Sequence, residues 1–256
     1  MLGTVSHKAI GIAFMLLGAS MVQAQSGGQV TRAEFSPLDQ PIAWLSEAKR
    51  NFGVVKDYSC LLVSQERVKG VLLEQNTIEF KSRAEPFSIS MRWLGPDKYK
   101  NQEVAFVAGK NNNKMRVKSN FLGSGIIGFV TLDPNDPRVL QHSRHTILEA
   151  GLANMIEQNL QHWQVARNGN KTKVTVGESK YDKRDCIRVE VTALDRSAAS
   201  YCCRSVIYLE KESKIPIRIE NYDWPRDGVP AGDLLEMFSY VGLRFNTGVR
   251  DEEFNK

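Results

Sequence analysis

The stretch Phe87-Ser88-Ile89-Ser90-Met91-Arg92-Trp93 alternates large apolar side chains with polar ones, without a break. Successive side chains of a β-strand point to opposite faces, so this stretch predicts a strand with one buried face. The alternation resumes after the turn at residues 95–97. We expect one apolar face of a sheet to carry Phe87, Ile89, Met91, Trp93, Val104 and Phe106.

Strands are predicted on both sides of this stretch. Tyr58–Val68 and Leu72–Ser82 precede it and are joined by a Lys69-Gly70 turn, and Lys114–Lys118 follows it after a polar loop. Short turns between consecutive strands favour antiparallel pairing. A second group of strands is predicted at Lys171–Glu178, Asp185–Leu194, Arg204–Lys211, Ile215–Asp223 and Leu234–Phe245.

Two segments have helical periodicity instead. Apolar residues recur at helical spacing over residues 41–56, starting at Pro41, which the first turn of a helix tolerates. A second helix is predicted from the capping box Thr146-Ile147-Leu148-Glu149 to Asn168-Gly169, with an apolar stripe that includes Trp163. Together with the strands, these helices predict an α+β fold.

Residues 120–141 interrupt the strand pattern. Gly123–Gly128 matches the glycine spacing of dinucleotide-binding loops, but Pro134 follows too soon for the helix that this site requires, so the match is coincidental. Glycines mixed with apolar side chains fit either a mobile flap or a loop packed on the core. We expect an inserted helical lid at about residues 120–168, with lid residues Gly125, Ile126, Ile127, Gly128 and Phe129.

The N-terminus is typical of a secretory signal peptide. Lys8 precedes the apolar run Ala9–Val22, which is shorter than the roughly 20 residues needed to span a bilayer. Val22-Gln23-Ala24 is a suitable cleavage site. We therefore predict a signal peptide at 1–24, a flexible leader at 25–36, and a single β-rich domain at 37–256 that is exported to the periplasm or cell envelope and does not span a membrane.

The composition is that of a globular protein, with 42% hydrophobic and 25% charged residues and a formal charge of +5. Lys and Arg do not cluster as they do in nucleic-acid-binding proteins, so no nucleic-acid partner is expected. Four cysteines in an oxidising compartment favour a disulfide from Cys186 or Cys60 to Cys202 or Cys203. The alternative is that most of them are buried free thiols that pack as small apolar side chains.

Several segments resemble an uncharacterised family of exported bacterial proteins, domain of unknown function 1571. They are Asp57-Tyr58-Ser59-Cys60 through Arg67, Glu85–Met91, Gly109–Met115, and Leu132–Asn135 with Arg144-His145. The resemblance covers most of the predicted mature chain, and the family has no assigned activity.

The last third is more remotely similar to lipoprotein-localisation carriers of the LolA/LolB type, through Ile207–Ile219, Leu234–Phe245 and Phe254. That similarity implies a half-open, strongly curved antiparallel β-barrel-like sheet, with helices covering its concave face and a hydrophobic cavity for acyl chains. This chain differs from those carriers by its long insertion at residues 120–165.

The polar residues suggest no catalytic site, metal site or cofactor. His142 and His145, with Arg144 between them, are three residues apart, but nothing nearby completes a zinc site, so structural hydrogen bonding is favoured. No Gly-x-Ser-x-Gly motif is present, and Glu252 and Glu253 lie on a polar tail. The predicted function is non-catalytic binding of lipid or lipoprotein acyl chains, by the apolar face of residues 87–106.

Two other functions remain open at this stage, together with a possible protein partner in the envelope. A hydrolase of envelope material would require a polar cluster in the mouth of the sheet. A protein-binding scaffold would have a packed interior and an exposed apolar patch instead.

Overall fold

The structure is a computed structural model, and it describes residues 35–119, 128–169, 171–196 and 201–255. The predictions for the signal peptide, for the leader up to residue 34, and for Gly125, Ile126 and Ile127 lie outside the described residues. Three α-helices occur in the described part, and none of them is long and apolar enough to cross a membrane. They are α1 (Asp39–Phe52), α2 (Pro137–Leu140) and α3 (Leu152–Gly169).

Twelve strands form one sheet in which every neighbouring pair is antiparallel. They are β1 (Asp57–Val68), β2 (Val71–Leu72), β3 (Asn76–Arg83), β4 (Ser88–Gly95), β5 (Glu103–Val107), β6 (Met115–Lys118), β7 (Val130–Leu132), β8 (Thr172–Tyr181), β9 (Arg184–Ala193), β10 (Arg204–Glu210), β11 (Pro216–Tyr222) and β12 (Leu234–Phe245).

The order of strands across the sheet is β7-β6-β5-β4-β3-β1-β12-β11-β10-β9-β8, with β2 paired to β1 alone. The first and last strands of this order do not pair with each other, so the sheet curls without closing. The pairing of β1 with β12 brings the two predicted groups of strands together in its centre. The predicted α+β class, with a curved antiparallel half-open sheet, is confirmed.

The concave face of the sheet and the helices enclose the hydrophobic core. The rings of Tyr58 and Phe80 lie 5.7 Å apart, and the ring of Tyr240 lies 6.1 Å from that of Phe80. Leu45 of α1 and Leu152 of α3 are fully buried in the same core. The apolar stripes of both helices are therefore covered by the inner face of the sheet.

The second long helix begins later than the capping box predicts. The Glu149 carboxylate accepts a hydrogen bond from the Thr146 amide at 2.7 Å, but the turn that follows is only a 3-10 turn, Ile147–Glu149. The chain then becomes extended at Ala150, and Gly151 has a φ of +101°. These two conformations end the first turn, so α3 starts at Leu152.

The predicted disulfide is wrong in this structure, where all four cysteines are free thiols. Cys186 lies near the start of β9, whereas Cys203 adjoins Ala193 at the other end of that strand. Seven residues of strand separate the two positions by roughly 23 Å, and a disulfide requires Cα atoms within about 7 Å. Cys60 lies on β1, which β12 and β11 separate from the strand that follows Cys202–Cys203.

Candidate functional site

A cavity of about 270 Å³ lies between the concave face of the sheet and the segment from Val139 to Ala166. Its apolar lining comes from strands on both sides of β1 and from α3. Its apolar residues include Leu62, Ile78, Met91, Trp93, Met115, Met155, Trp163, Phe238 and Tyr240. The apolar wall of the cavity is thus formed jointly by strands of the sheet and by α3.

The six residues predicted to share the apolar face occupy two different environments. Met91, Trp93 and Val104 line the cavity. Ile89 and Phe106 are instead opposite each other across β4 and β5, and Ile89 is fully buried and Phe106 is 4% exposed.

Two other residues cover the packed part of this apolar face. Phe87 packs against Phe106, with their rings 6.1 Å apart. The backbone of Gly151 at the start of α3 lies over Ile89 and Phe80, where it closes this end of the face. A role in ligand binding stays a prediction for the residues that line the cavity, and the structure gives Phe87, Ile89 and Phe106 a position in the packed core.

The two described lid residues lie apart from this cavity. Phe129 has the Arg116 guanidinium 5.9 Å from its ring centre, and Gly128 has a φ of +96°. Neither is among the described residues that line the cavity. The cover over the cavity comes from residues 139–166, in the second half of the predicted lid.

A row of polar side chains crosses four neighbouring strands at the rim of the cavity. Ser205 on β10 is paired with Asn221 on β11, Asn221 with Glu236 on β12, and Glu236 with Glu66 on β1. All four line the cavity and are at most 8% exposed. We call Ser205, Asn221, Glu236 and Glu66 the polar row.

The Glu236 carboxylate accepts three short hydrogen bonds. The Tyr201 hydroxyl donates to it at 2.6 Å, the Asn221 amide at 2.8 Å, and His145 Nε2 lies 2.7 Å away. Burial alone would raise the pKa of Glu236, but the hydrogen bonds and the charge of His145 outweigh it and hold the pKa below its ordinary value. Glu236 is therefore an ionised carboxylate inside the cavity.

The Glu66 carboxylate has weaker partners. The Arg144 amide donates to it at 2.7 Å, and the Ser143 hydroxyl lies 3.2 Å from both of its oxygens. Burial is the main cause of a raised pKa at Glu66, and the adjacent charge of Glu236 adds to it. The two carboxylates are paired directly across the strands, yet their pKa values are shifted in opposite directions.

The segment Ser143–Thr146 crosses the rim and supplies the positive charge that this pair requires. Burial opposes the charge of His145, but its hydrogen bond to Glu236 and the charges of nearby carboxylates together outweigh burial and raise its pKa. Arg144 Nε lies 3.4 Å from the same carboxylate. His145 thus has a structural role, and that role is an ion pair with the Glu236 carboxylate of β12. Among the described residues, no three His, Cys, Asp or Glu side chains converge as metal ligands.

An aromatic pair flanks the cluster on the side of α3. The His162 ring stacks on Tyr201, with centroids 5.6 Å apart and planes 14° from parallel. Burial lowers the pKa of His162, so its neutral form is favoured at neutral pH. The pKa values of the two histidines that face the cluster are therefore shifted in opposite directions.

Local sequence patterns did not indicate the polar row, Tyr201 or His162. One signal was available for Glu66, because it continues the alternate positions Tyr58, Cys60, Leu62 and Ser64 on the buried face of β1. A charged residue at an inward position of a strand is unusual and indicates a paired or functional group. The other members lie on strands whose neighbours only the sheet order reveals.

Several solved structures are similar to this chain at low identity. Mycobacterium tuberculosis lipoprotein LppX is 13% identical with a TM-score of 0.48, covering 83% of this chain and 98% of LppX. An uncharacterised conserved protein from Thermus thermophilus is 9% identical with a TM-score of 0.48, covering 85% and 93% of the two chains. A LolA superfamily protein from Nitrosomonas europaea is 10% identical with a TM-score of 0.39, covering 84% and 96%.

No curated protein matches the sequence. Residues 55–256 match the family described as Protein of unknown function (DUF1571). This match covers well over half of the chain, and it includes β1, the polar row and the segment that crosses the rim. The resemblance found in the sequence is thereby confirmed, and the protein belongs to the DUF1571 family.

Proposed function

We propose that this protein binds the acyl chains of a lipid or lipoprotein in its cavity, without catalysis, as a carrier or sensor of the cell envelope. The observation that carries the proposal is the cavity of about 270 Å³, with its apolar wall and its polar rim. Each methylene that moves from water into such a site contributes about 0.8 kcal/mol. The polar row would then lie beside the polar end of the bound molecule.

The composition of the wall suits a flexible ligand. Met91, Met115 and Met155 line the cavity together with Trp93 and Trp163. Methionine side chains have three rotatable bonds and adapt their shape, whereas aromatic rings supply large apolar contact areas. This combination can pack around acyl chains of varying conformation.

The place of action is part of the proposal and rests on the sequence. The signal-peptide pattern at 1–24 would export the chain, and the envelope is where acyl chains must cross an aqueous space. A partner in the envelope would deliver the cargo or receive it.

Uptake of a fluorescent fatty-acyl probe by the exported protein tests this function. We expect the wild type to bind the probe and Met91→Asp to abolish binding. The unpaired carboxylate would lose its hydration when the acyl chain enters, which opposes binding by a free energy on the order of several kcal/mol. The matched control is Met91→Leu, which keeps apolar volume and should retain affinity. Absence of binding by the folded wild type would overturn the proposal.

The polar row favours a second candidate, a hydrolase of envelope material. Two carboxylates with oppositely shifted pKa values are the arrangement that general acid–base catalysis uses. Against this function, both carboxylates already accept hydrogen bonds from the protein at 3.2 Å or less, and a catalytic base must reach a proton of the substrate.

A single substitution distinguishes the two candidates. If Glu66 were a catalytic acid, Glu66→Gln would abolish release of fatty acid from an acyl ester while leaving ligand binding in place. The carrier function predicts no such release by the wild type.

A further inference from the structure

We infer that the cavity selects a lipid whose polar end is uncharged and forms hydrogen bonds, such as a diacylglycerol, over lipids with a charged head. This inference rests on the proposed function and specifies its ligand class. Three features of the rim carry it: the carboxylates of the lining, the cations already paired with them, and the neutral polar groups left without a partner.

The lining opposes an anionic head. Glu66, Glu149 and Glu236 line the cavity, whereas no Lys or Arg is among its described lining residues. Even with His145 counted as a cation, carboxylates outnumber cations in the described lining, whereas the whole chain carries a formal charge of +5. A phosphate or carboxylate head would meet like charges in a partly desolvated site, where such charges interact strongly.

A cationic head is opposed as well, because the Glu236 carboxylate of the polar row already has cationic partners. His145 Nε2 lies 2.7 Å from the Glu236 carboxylate, and Arg144 Nε lies 3.4 Å from it. An incoming ammonium group would have to displace one of these cations or remain unpaired at the rim. Either result costs free energy, because a buried charge without a partner is strongly unfavourable.

Neutral polar groups, in contrast, remain available in the cavity. Ser205 Oγ is buried and has no hydrogen-bond partner in the described structure, and the same holds for Asn76 Oδ1. Both residues line the cavity, and Ser205 is only 7% exposed. Buried polar atoms nearly always have a partner, so these two atoms indicate a place for a polar group of the ligand.

His162 of α3 adds a third neutral group to the lining. It lines the cavity from α3 and stacks on Tyr201, with no hydrogen bond to its ring among the described residues. Burial lowers its pKa, which favours the neutral imidazole with one donor and one acceptor. A hydroxyl or ester group of a diacylglycerol can pair with such a neutral group without bringing a charge.

The test is competition between lipids with the same dioleoyl chains for the cavity of the exported protein. A fluorescent diacylglycerol is the probe, and the competitors are dioleoylglycerol, dioleoylphosphatidylglycerol and a dioleoyl lipid with a trimethylammonium head. We expect dioleoylglycerol to compete at least about tenfold more strongly than either charged lipid, which corresponds to about 1.4 kcal/mol.

Ser205→Ala makes the test specific to the polar row. We expect it to weaken binding of dioleoylglycerol by about threefold to tenfold, the value of one hydrogen bond, and to leave binding of octadecane unchanged. The thermal midpoint of the ligand-free protein should not fall, because the hydroxyl that is removed has no partner in the protein. The matched control is Ser90→Ala, a buried serine of β4 that is not among the described lining residues.

The outcomes separate the two proposals. Equal competition by all three lipids, or an unchanged affinity of Ser205→Ala for dioleoylglycerol, would overturn the inference and leave acyl-chain binding intact. Failure of every lipid and of octadecane to bind would overturn the proposed function itself.

Discussion

At the scale of single residues, the most unusual feature is the direct pairing of Glu66 with Glu236 across β1 and β12. Like charges opposite each other destabilise a sheet, and burial increases the cost. The segment Ser143–Thr146 offsets it by placing His145 and Arg144 on the carboxylates. The polar row and this segment therefore depend on each other, and each would be unstable alone.

His145 makes this dependence measurable through pH. Its pKa is raised in the folded state, so its stabilising contribution is complete below the unfolded value of 6.5 and is lost as the pH rises through the folded value. We expect His145→Gln to lower the free energy of unfolding more at pH 6 than at pH 9. Urea unfolding at a series of pH values measures this difference, and an equal loss at both pH values would contradict the ion pair with Glu236.

His162 provides a control with the opposite sign. Its pKa is lowered by burial, so the unfolded chain takes up a proton below pH 6.5 while the folded protein resists it. Stability is therefore lost as the pH falls below 6.5. We expect His162→Gln to remove this loss. The difference in the free energy of unfolding between the variant and the wild type should therefore change between pH 5 and pH 6.5 and stay constant above pH 6.5. The same unfolding series measures both variants.

At the scale of elements, the start of α3 fixes where the packed core ends and the cavity begins. The Tyr58 hydroxyl of β1 accepts a hydrogen bond from the Leu152 amide at 2.8 Å, and it thereby satisfies one of the free amides of the helix. Gly151 lies directly against this hydroxyl and against Phe80 and Ile89. Any side chain at position 151 would separate the helix from the sheet.

Gly151→Ala should therefore destabilise the protein strongly. An added Cβ would lie 2.7 Å from the Tyr58 hydroxyl, and the φ of +101° is unfavourable for alanine. We expect a loss of about 2–4 kcal/mol, from backbone strain together with a weakened buried hydrogen bond. Thermal or urea unfolding measures it.

Gly109→Ala is the matched control for this substitution. Its φ of +81° is also positive, but nothing lies within 4 Å of the added Cβ. The expected loss there is about 1 kcal/mol, from strain alone. Equal losses at the two positions would show that the contact between α3 and β1 is not tight.

At the scale of the whole molecule, the curled sheet keeps Cys60, Cys186 and the adjacent pair Cys202-Cys203 apart from one another. The thiols of Cys60, Cys186 and Cys203 are buried, and burial raises the pKa of Cys202 to about 12. We expect all four thiols to react with an alkylating reagent once the protein is unfolded without reductant, and to react slowly in the folded protein. Intact mass measures the number of labels, and two labels instead of four would reveal a disulfide.

The unclosed sheet also explains why a cavity exists. The eleven strands that follow one another across the sheet curl round an interior that α1 and α3 fill only in part, and residues 139–166 line the space that remains. A fully packed interior would need larger side chains along the rim, where the chain instead has Ser205, Asn221 and Ala193. The polar row therefore marks the boundary between the core and the cavity.

Local patterns were sufficient for much of the fold. The alternation at residues 87–93 correctly indicated which side chains share a face, because the pleat of a strand determines it without any partner. Helical spacing located α1 within a few residues for the same reason. The start of α3 was predicted too early, because the capping box is local, whereas the extended backbone at Ala150 depends on contacts with β1.

By itself, the sequence determined the type of most elements, the antiparallel pairing of consecutive strands and the inward face of residues 87–106. It did not predict β7, which lies in the segment expected to form a helical lid. Only the tertiary structure decided that Ile89 is packed beneath Gly151 while Met91, on the same face, lines the cavity. It also assembled the polar row from four strands, with Glu66 and Glu236 separated by 170 residues of sequence but paired in the sheet. The physical reason is range: dihedral preferences and side-chain periodicity act between near neighbours, whereas burial, ion pairing and the position of a cavity depend on which distant strands meet.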